Sequence, residues 1–299
     1  MVASPQMGCS LKFATLLFLA ASTLHGTTFY VTVAGLGGEP DYEQRFALLA
    51  TDTEKLLTEK GGDIKVETFK GASATKANLT ASLQRIAQAA KPQDAFVLMM
   101  IGHGSFDGEY KFNLPGPDIS ATELAVLLNK IPAGRQLVVN MTSASGGSLD
   151  ALKSNNRVII TATKTGTEKN ATVFARFWVE ALRDPSADID KNGSISALEA
   201  FQFADRKTKA FYEEQKRIAT EHPVLQDNNK AAAFPVLRLT AATAVTDPAK
   251  QALQAKRDEI ESQIDQLKYQ KALMPADQYK AQLTKLLLDL AKTQEEIDK

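Results

Sequence analysis

Twelve residues carry the sharpest chemical pattern in the chain: Asp188-Ile-Asp-Lys-Asn-Gly-Ser-Ile-Ser-Ala-Leu-Glu199. Side-chain oxygens stand at positions one, three and five (Asp188, Asp190, Asn192), a glycine at six and a glutamate at twelve. Ser194 offers its carbonyl at seven and Ser196 sits at nine, so every ligand position of an EF-hand calcium loop is filled. Carboxylates crowded into so short a segment repel one another unless a cation stands between them, which makes Ca2+ the expected ion. The competing reading is an acidic turn that caps the following helix. Pro185 disfavours an incoming helix, so only an outgoing one is expected. A solitary loop fits a structural ion better than a sensor.

Two strand ends supply the second set. Phe96-Val-Leu-Met-Met-Ile-Gly-His-Gly-Ser105 and Gln136-Leu-Val-Val-Asn-Met-Thr-Ser-Ala-Ser-Gly-Gly147 are apolar runs that break into small, polar residues. Such runs read as buried parallel strands, and open α/β sheets bind ligands at the carboxyl ends of such strands. His103 on the first is a candidate general base or acid. Gly104 offers a backbone N–H to an oxyanion. Ser143 on the second is a candidate nucleophile, flanked by Thr142 and Ser145. A loop histidine beside a glycine-rich turn is the competing reading of the same residues. His25 falls in the N-terminal segment, and His222, before Pro223, has no evident catalytic neighbour in the sequence.

These residues need a sheet to hold them, and the chain alternates strand and helix accordingly. Strands are expected at 28–34, 64–69, 94–101, 136–140 and 157–163. Helices are expected at 42–58, 75–90, 120–128, 148–153 and 171–182, with a turn-rich β-hairpin at 106–119. Ser120-Ala-Thr-Glu123 is a capping box. Repeated β-α alternation predicts a mainly parallel sheet with helices on both faces. Past residue 245 the pattern changes. Apolar residues at Leu253, Ile260, Ile264 and Leu267, then Tyr279, Leu283, Leu286 and Leu290, flank a break at Pro275 and predict a helical hairpin. It is expected to dock on the main domain or to self-associate through 250–299; the competing reading is a partner-binding coiled coil.

The bulk numbers narrow the function classes. Lys+Arg and Asp+Glu are 35 each, so nothing draws the chain to nucleic acid or to an anionic membrane. The single cysteine, Cys9, excludes a disulfide framework and a cysteine metal site in the body of the chain. Lys12 followed by the apolar run Phe13–Ala21 reads as a signal peptide over 1–26, which implies export to the periplasm or the extracellular space. A first buried strand or helix is the competing reading. The run is too short to span a bilayer, and no integral span is expected after signal removal. The expected organisation is therefore 1–26, a domain over 27–245 that includes the acidic loop, and a hairpin over 246–299.

Several segments in order resemble the caspase–legumain superfamily, and bacterial legumain-type peptidases in particular. They are Gly102-His-Gly-Ser105, Phe112-Asn-Leu-Pro-Gly116, the helix after Ser120, Val138 to Gly147, the acidic loop with Glu199-Ala-Phe201, and Glu221-His-Pro-Val-Leu-Gln-Asp-Asn228. The resemblance covers about 28–235 and implies a caspase-like three-layer α/β sandwich with a mainly parallel sheet, extended here by the C-terminal hairpin. It implies that His103 is the family's histidine. It places Ser143, two residues before Ser145-Gly146, at the family's cysteine nucleophile, and Met141 where legumains carry a pocket acid. A thiol of pKa about 8.5 is partly ionised at neutral pH, whereas a serine hydroxyl needs an aligned base. Both departures weaken the expectation of asparaginyl cleavage. The resulting expectation is an exported pseudo-peptidase that binds a peptide or protein ligand. The alternatives are a live hydrolase with a Ser143–His103 dyad and an envelope scaffold acting through its hairpin.

Overall fold

The computed structural model describes residues 26–59, 63–239 and 248–298. The signal-peptide reading, Cys9 and His25 lie outside the described residues, as does the expected boundary near 245.

In chain order the strands are β1 (Thr28–Ala34), β2 (Ile64–Phe69), β3 (Ala95–Ile101), β4 (Gly104–Phe106), β5 (Tyr110–Phe112), β6 (Ile119–Ser120), β7 (Arg135–Asn140), β8 (Arg157–Thr161), β9 (Ser194–Ser196), β10 (Val224–Gln226) and β11 (Pro235–Arg238). The helices are α1 (Pro40–Thr58), α2 (Lys76–Ala89), α3 (Ala121–Leu128), α4 (Leu149–Leu152), α5 (Phe174–Arg183), α6 (Ala197–Glu214), α7 (Pro248–Tyr269) and α8 (Ala276–Asp298).

The central sheet runs β10-β8-β7-β3-β1-β2, and only β10 pairs antiparallel. Parallel strands between two helical layers are buried on both faces, which is why every residue of β3 is apolar and buried. Side chains alternate between the layers. On one face Phe46 and Leu49 of α1, Phe174 and Trp178 of α5 and Phe203 of α6 join Val97, Met99, Val139 and Ile160. On the other face Leu79 and Leu83 of α2, Leu124 and Leu128 of α3 and Leu152 of α4 join Phe96, Leu98, Val138 and Ile159. This is the three-layer α/β sandwich that the alternation predicts. Met100 pairs with Asn140, so β3 and β7 end level and their following loops leave the sheet side by side.

Local signals behave as the sequence implies. Ser120 and Glu123 form the capping box, with Glu123 N–H to Ser120 Oγ at 3.2 Å and Ser120 N–H to Glu123 Oε2 at 2.9 Å. The turn-rich segment folds as a small antiparallel sheet of β4, β5 and β6. A second small sheet, β9 with β11, has no clear signal in the sequence.

The hairpin docks on the main domain. Ile260, Ile264 and Leu290 pack with Leu48 of α1. Arg257 pairs with Asp52 of α1, Lys268 with Asp41 of α1 at 2.5 Å, and Glu261 approaches Arg176 of α5 at 3.8 Å. Among the described residues no helix is long and apolar enough to cross a membrane.

Candidate functional site

The hydroxyl cluster after β7 is buried and already satisfied. Ser143 Oγ accepts the Gly104 N–H at 3.1 Å and donates its only proton to the Gly104 carbonyl at 3.0 Å. Ser143 is 2% exposed. The Tyr110 hydroxyl reaches across from β5 to Thr142 Oγ1 at 2.7 Å and Asn140 Oδ1 at 3.1 Å. Ser145 Oγ accepts the Thr163 N–H at 3.0 Å, and Ser148 Oγ donates to the Ser145 carbonyl at 2.6 Å. Fully paired buried networks of this kind rigidify the elements they join. Here they fasten the ends of β7 and β8 and the β4–β5 hairpin into one junction. Ala144 takes a left-handed φ of 56° in this turn, and its N–H is held by the Glu168 carbonyl at 2.7 Å.

His103 leaves β3 on the other side of this junction. Its ring makes edge contacts with Tyr42 and Phe46 of α1, at centroid separations of 4.6 and 5.1 Å. Among the described residues no hydrogen bond joins the ring to Ser143. Burial, and then the Lys268 ammonium, hold the His103 ring below the usual imidazole range, with the Gly37 backbone, Asp41 and Glu39 opposing them. The ring is therefore neutral at pH 7. Because its folded pKa lies below the free value of 6.5, the unfolded chain takes up this proton first as pH falls. The contribution of His103 to stability is complete above that value and is lost as pH falls through the folded pKa. Lys268→Met is expected to move the His103 titration midpoint upward, as followed by its ring proton shifts; an unchanged or lower midpoint contradicts this placement.

Lys268 is a residue that sequence reasoning missed. Its Nζ stands 3.0 Å from the Tyr42 ring centroid and 2.5 Å from Asp41 Oδ2. Cation–π contact and the buried carboxylate together hold this ammonium beside His103. Burial lowers its pKa, and the Asp41 hydrogen bond works against that. The hairpin also closes the neighbouring space. Tyr42, Phe46, Met141, Arg176 and Glu261 line a residual cavity of about 20 Å³, about the room for one water. Buried Met141 thus meets the cavity from the end of β7, with Glu261 of the hairpin on the cavity wall.

His222, which has no evident catalytic neighbour in the sequence, finds a partner in Glu168 from a distant segment. Its Nδ1 lies 2.7 Å from Glu168 Oε1 and its N–H donates to Glu168 Oε2 at 3.2 Å. Glu168 Oε2 also accepts the Lys164 N–H at 2.9 Å. The pair therefore pins the loop after β8 to the segment before β10.

The acidic loop converges on itself. Oxygens of Asp188, Asp190 and Glu199 lie within 4.8 Å of one another. Gly193 turns the chain at φ 80°, and its N–H donates to Asp188 Oδ2 at 3.0 Å. Asn192 Oδ1 accepts the Ser194 N–H at 2.9 Å. Glu199 opens α6: Oε2 accepts the Ser196 N–H and hydroxyl at 2.9 and 2.7 Å, and Oε1 accepts the Ile189 N–H at 2.9 Å. Burial works to raise the Glu199 carboxyl, but these hydrogen bonds outweigh it and hold it below the usual carboxylate range. Ile195 at position eight is fully buried, and its strand β9 pairs with β11. A 3-10 turn, Pro185–Ala187, precedes the loop where an EF-hand has its incoming helix. The oxygen-only donor set and the sharp glycine turn fit a hard divalent cation.

Comparison of the sequence with protein-family models and with curated proteins gives no match. Among solved structures, the chain is similar to a Geobacter sulfurreducens protein, GSU0716, at 14% identity and TM-score 0.46, covering 72% of this chain and 99% of that one. It is similar to the Drosophila initiator caspase Dronc at 11% identity and TM-score 0.42, covering 75% and 92%. It is also similar to caspase-1 from Spodoptera frugiperda at 12% identity and TM-score 0.45, covering 68% and 86%.

Proposed function

We propose that this chain is an exported, caspase/legumain-like peptidase-fold protein that has lost hydrolysis and acts by binding a peptide or protein ligand. The observation that carries this reading is the reciprocal hydrogen-bond pair between Ser143 Oγ and the Gly104 backbone. A nucleophile must give its proton to a base, and an oxyanion site must present a free N–H. Ser143 spends its proton on a carbonyl, and the Gly104 N–H is spent on Ser143. The docked hairpin supports the same reading, since Lys268 and Glu261 stand where a substrate would meet His103 and Met141. Ligand binding then uses surface outside that cleft or competes with the hairpin for it. The experiment is incubation of the purified mature protein with a peptide library. No cleavage above that of Ser143→Ala is expected; cleavage that Ser143→Ala abolishes overturns the proposal.

The acidic loop is assigned a structural calcium ion, held by Asp188, Asp190, Asn192, Ser196, Glu199 and the Ser194 carbonyl. The converging oxygens and their supporting N–H bonds favour this reading. An ion there would tie the loop after α5 to the start of α6. At free calcium 100-fold above its Kd, about 2.7 kcal/mol of stabilisation is expected, a rise of about 5–10 °C in Tm. Glu199→Gln keeps a helix-capping acceptor but loses the charge, and should remove most of that rise. A wild-type Tm indifferent to calcium excludes the site.

A further inference from the structure

The amino-terminal ends of β7 and β8, at the opposite end of the sheet from Ser143, frame a cavity of about 220 Å³. Arg135, Asn156, Asn229 and Lys230 give it a polar rim, and Val158 and Phe234 an apolar floor. The Arg135 guanidinium lies 5.8 Å from the Phe234 ring centroid. Among the described residues it makes no hydrogen bond or ion pair, so its N–H edge is unspent. Lys230 Nζ donates to the Asn155 carbonyl, which leaves two of its protons.

Several cations stand in the surroundings. Burial pushes the Tyr30 hydroxyl up to about 12 against the opposing pull of the Arg135 and Arg238 guanidiniums. Across the sheet, Arg157 is buried with neutral acceptors: Gln136 Oε1 at 2.9 Å, Asn129 Oδ1 at 2.9 Å and the Leu152 carbonyl at 2.5 Å. The nearby acids are held by backbone N–H groups rather than by these cations. Asp227 is spent on the N–H groups of Asn229 and Ala231 at 3.0 and 3.2 Å. Asp94 is spent on those of Thr27 and Lys91 at 2.9 and 2.7 Å. Cations around a concave site concentrate anions there. A planar guanidinium with a free edge is the preferred partner of a carboxylate.

We propose that this cavity binds a small organic carboxylate, its charged end held by Arg135 and Lys230. The test is titration of the full chain with benzoate, its neutral analogue benzamide and inorganic phosphate, followed by amide resonances. Benzoate is expected to shift the Asn156, Asn229 and Lys230 signals saturably, and benzamide and phosphate to bind at least about tenfold more weakly. Arg135→Gln, at an exposed position that should not disturb folding, is expected to weaken benzoate about tenfold. Lys230→Gln is expected to weaken it less. The proposal is overturned if benzoate shifts none of these signals up to about 10 mM. It is also overturned if benzamide or phosphate binds as well as benzoate, or if Arg135→Gln leaves benzoate binding unchanged.

Discussion

Asp41→Ala is expected to release the C-terminal hairpin from α1 at a cost of about 3–5 kcal/mol, the range for removing one partner of a buried ion pair. Asp41 is fully buried, and its Oδ2 holds Lys268 Nζ at 2.5 Å. Without it the ammonium keeps only the Tyr42 ring face and the half-exposed Glu39, at 3.7 Å. The loss is expected to fall on the interface rather than on the sheet, since the Asp41–Lys268 pair joins α1 to α7 and no strand to another. Hydrogen exchange is the measurement. Amides of α7 and α8 should exchange faster while those of β3 and β7 keep their protection. The double replacement Asp41→Leu with Lys268→Met removes both charges and should recover most of the loss. Equal exchange in wild type and Asp41→Ala would show that the hairpin is held without this pair, by its apolar contacts and the Arg257–Asp52 bridge.

Gly104→Ala is expected to cost about 3 kcal/mol, because a Cβ there has nowhere to go. It would stand 2.5 Å from the Ser143 carbonyl oxygen, 2.5 Å from a Tyr110 ring carbon and 2.8 Å from Thr142 Oγ1. Two of these atoms belong to the β7 loop, so relief requires the strand ends to separate. That separation breaks the Ser143–Gly104 pair. The corresponding fall in Tm is about 6–12 °C. Ser143→Ala should destabilise as well, by about 1–3 kcal/mol, because it leaves a buried N–H and a buried carbonyl unpaired. A serine whose hydroxyl waited for a substrate would lose no such bonds on conversion to alanine. Unchanged unfolding midpoints for both variants would remove the structural role assigned to this hydroxyl.

Much of the architecture is legible in the sequence because it is set locally. Ala95–Ile101 is apolar throughout, which only a strand covered on both faces tolerates, and Ser120 with Glu123 marks a helix start within four residues. The acidic loop is legible for the same reason: all its ligand oxygens lie in one segment of fixed spacing. What resisted reading depends on encounters between distant segments. Ser143 and Gly104 are 39 residues apart, His222 and Glu168 54, and Lys268 and Asp41 227. Residue type gave no hint of these pairings, because serine, glutamate and lysine are ordinary surface residues. Nor does an amphipathic stripe at Ile260, Ile264 and Leu290 reveal which surface it meets, although it shows that one must be met.

The claim that Ser143 is a structural hydroxyl is tested most directly by a serine-directed phosphonate. The probe should be applied both to the intact protein and to Asp41→Ala, in which the hairpin no longer shields the cleft. No adduct at Ser143 is expected in either, because its proton stays committed to the Gly104 carbonyl and the Gly104 N–H to Ser143 Oγ, with the hairpin docked or released. A covalent adduct at Ser143, absent from Ser143→Ala, would contradict it. If the adduct formed only in Asp41→Ala, the chain would be a hydrolase held shut by its own hairpin.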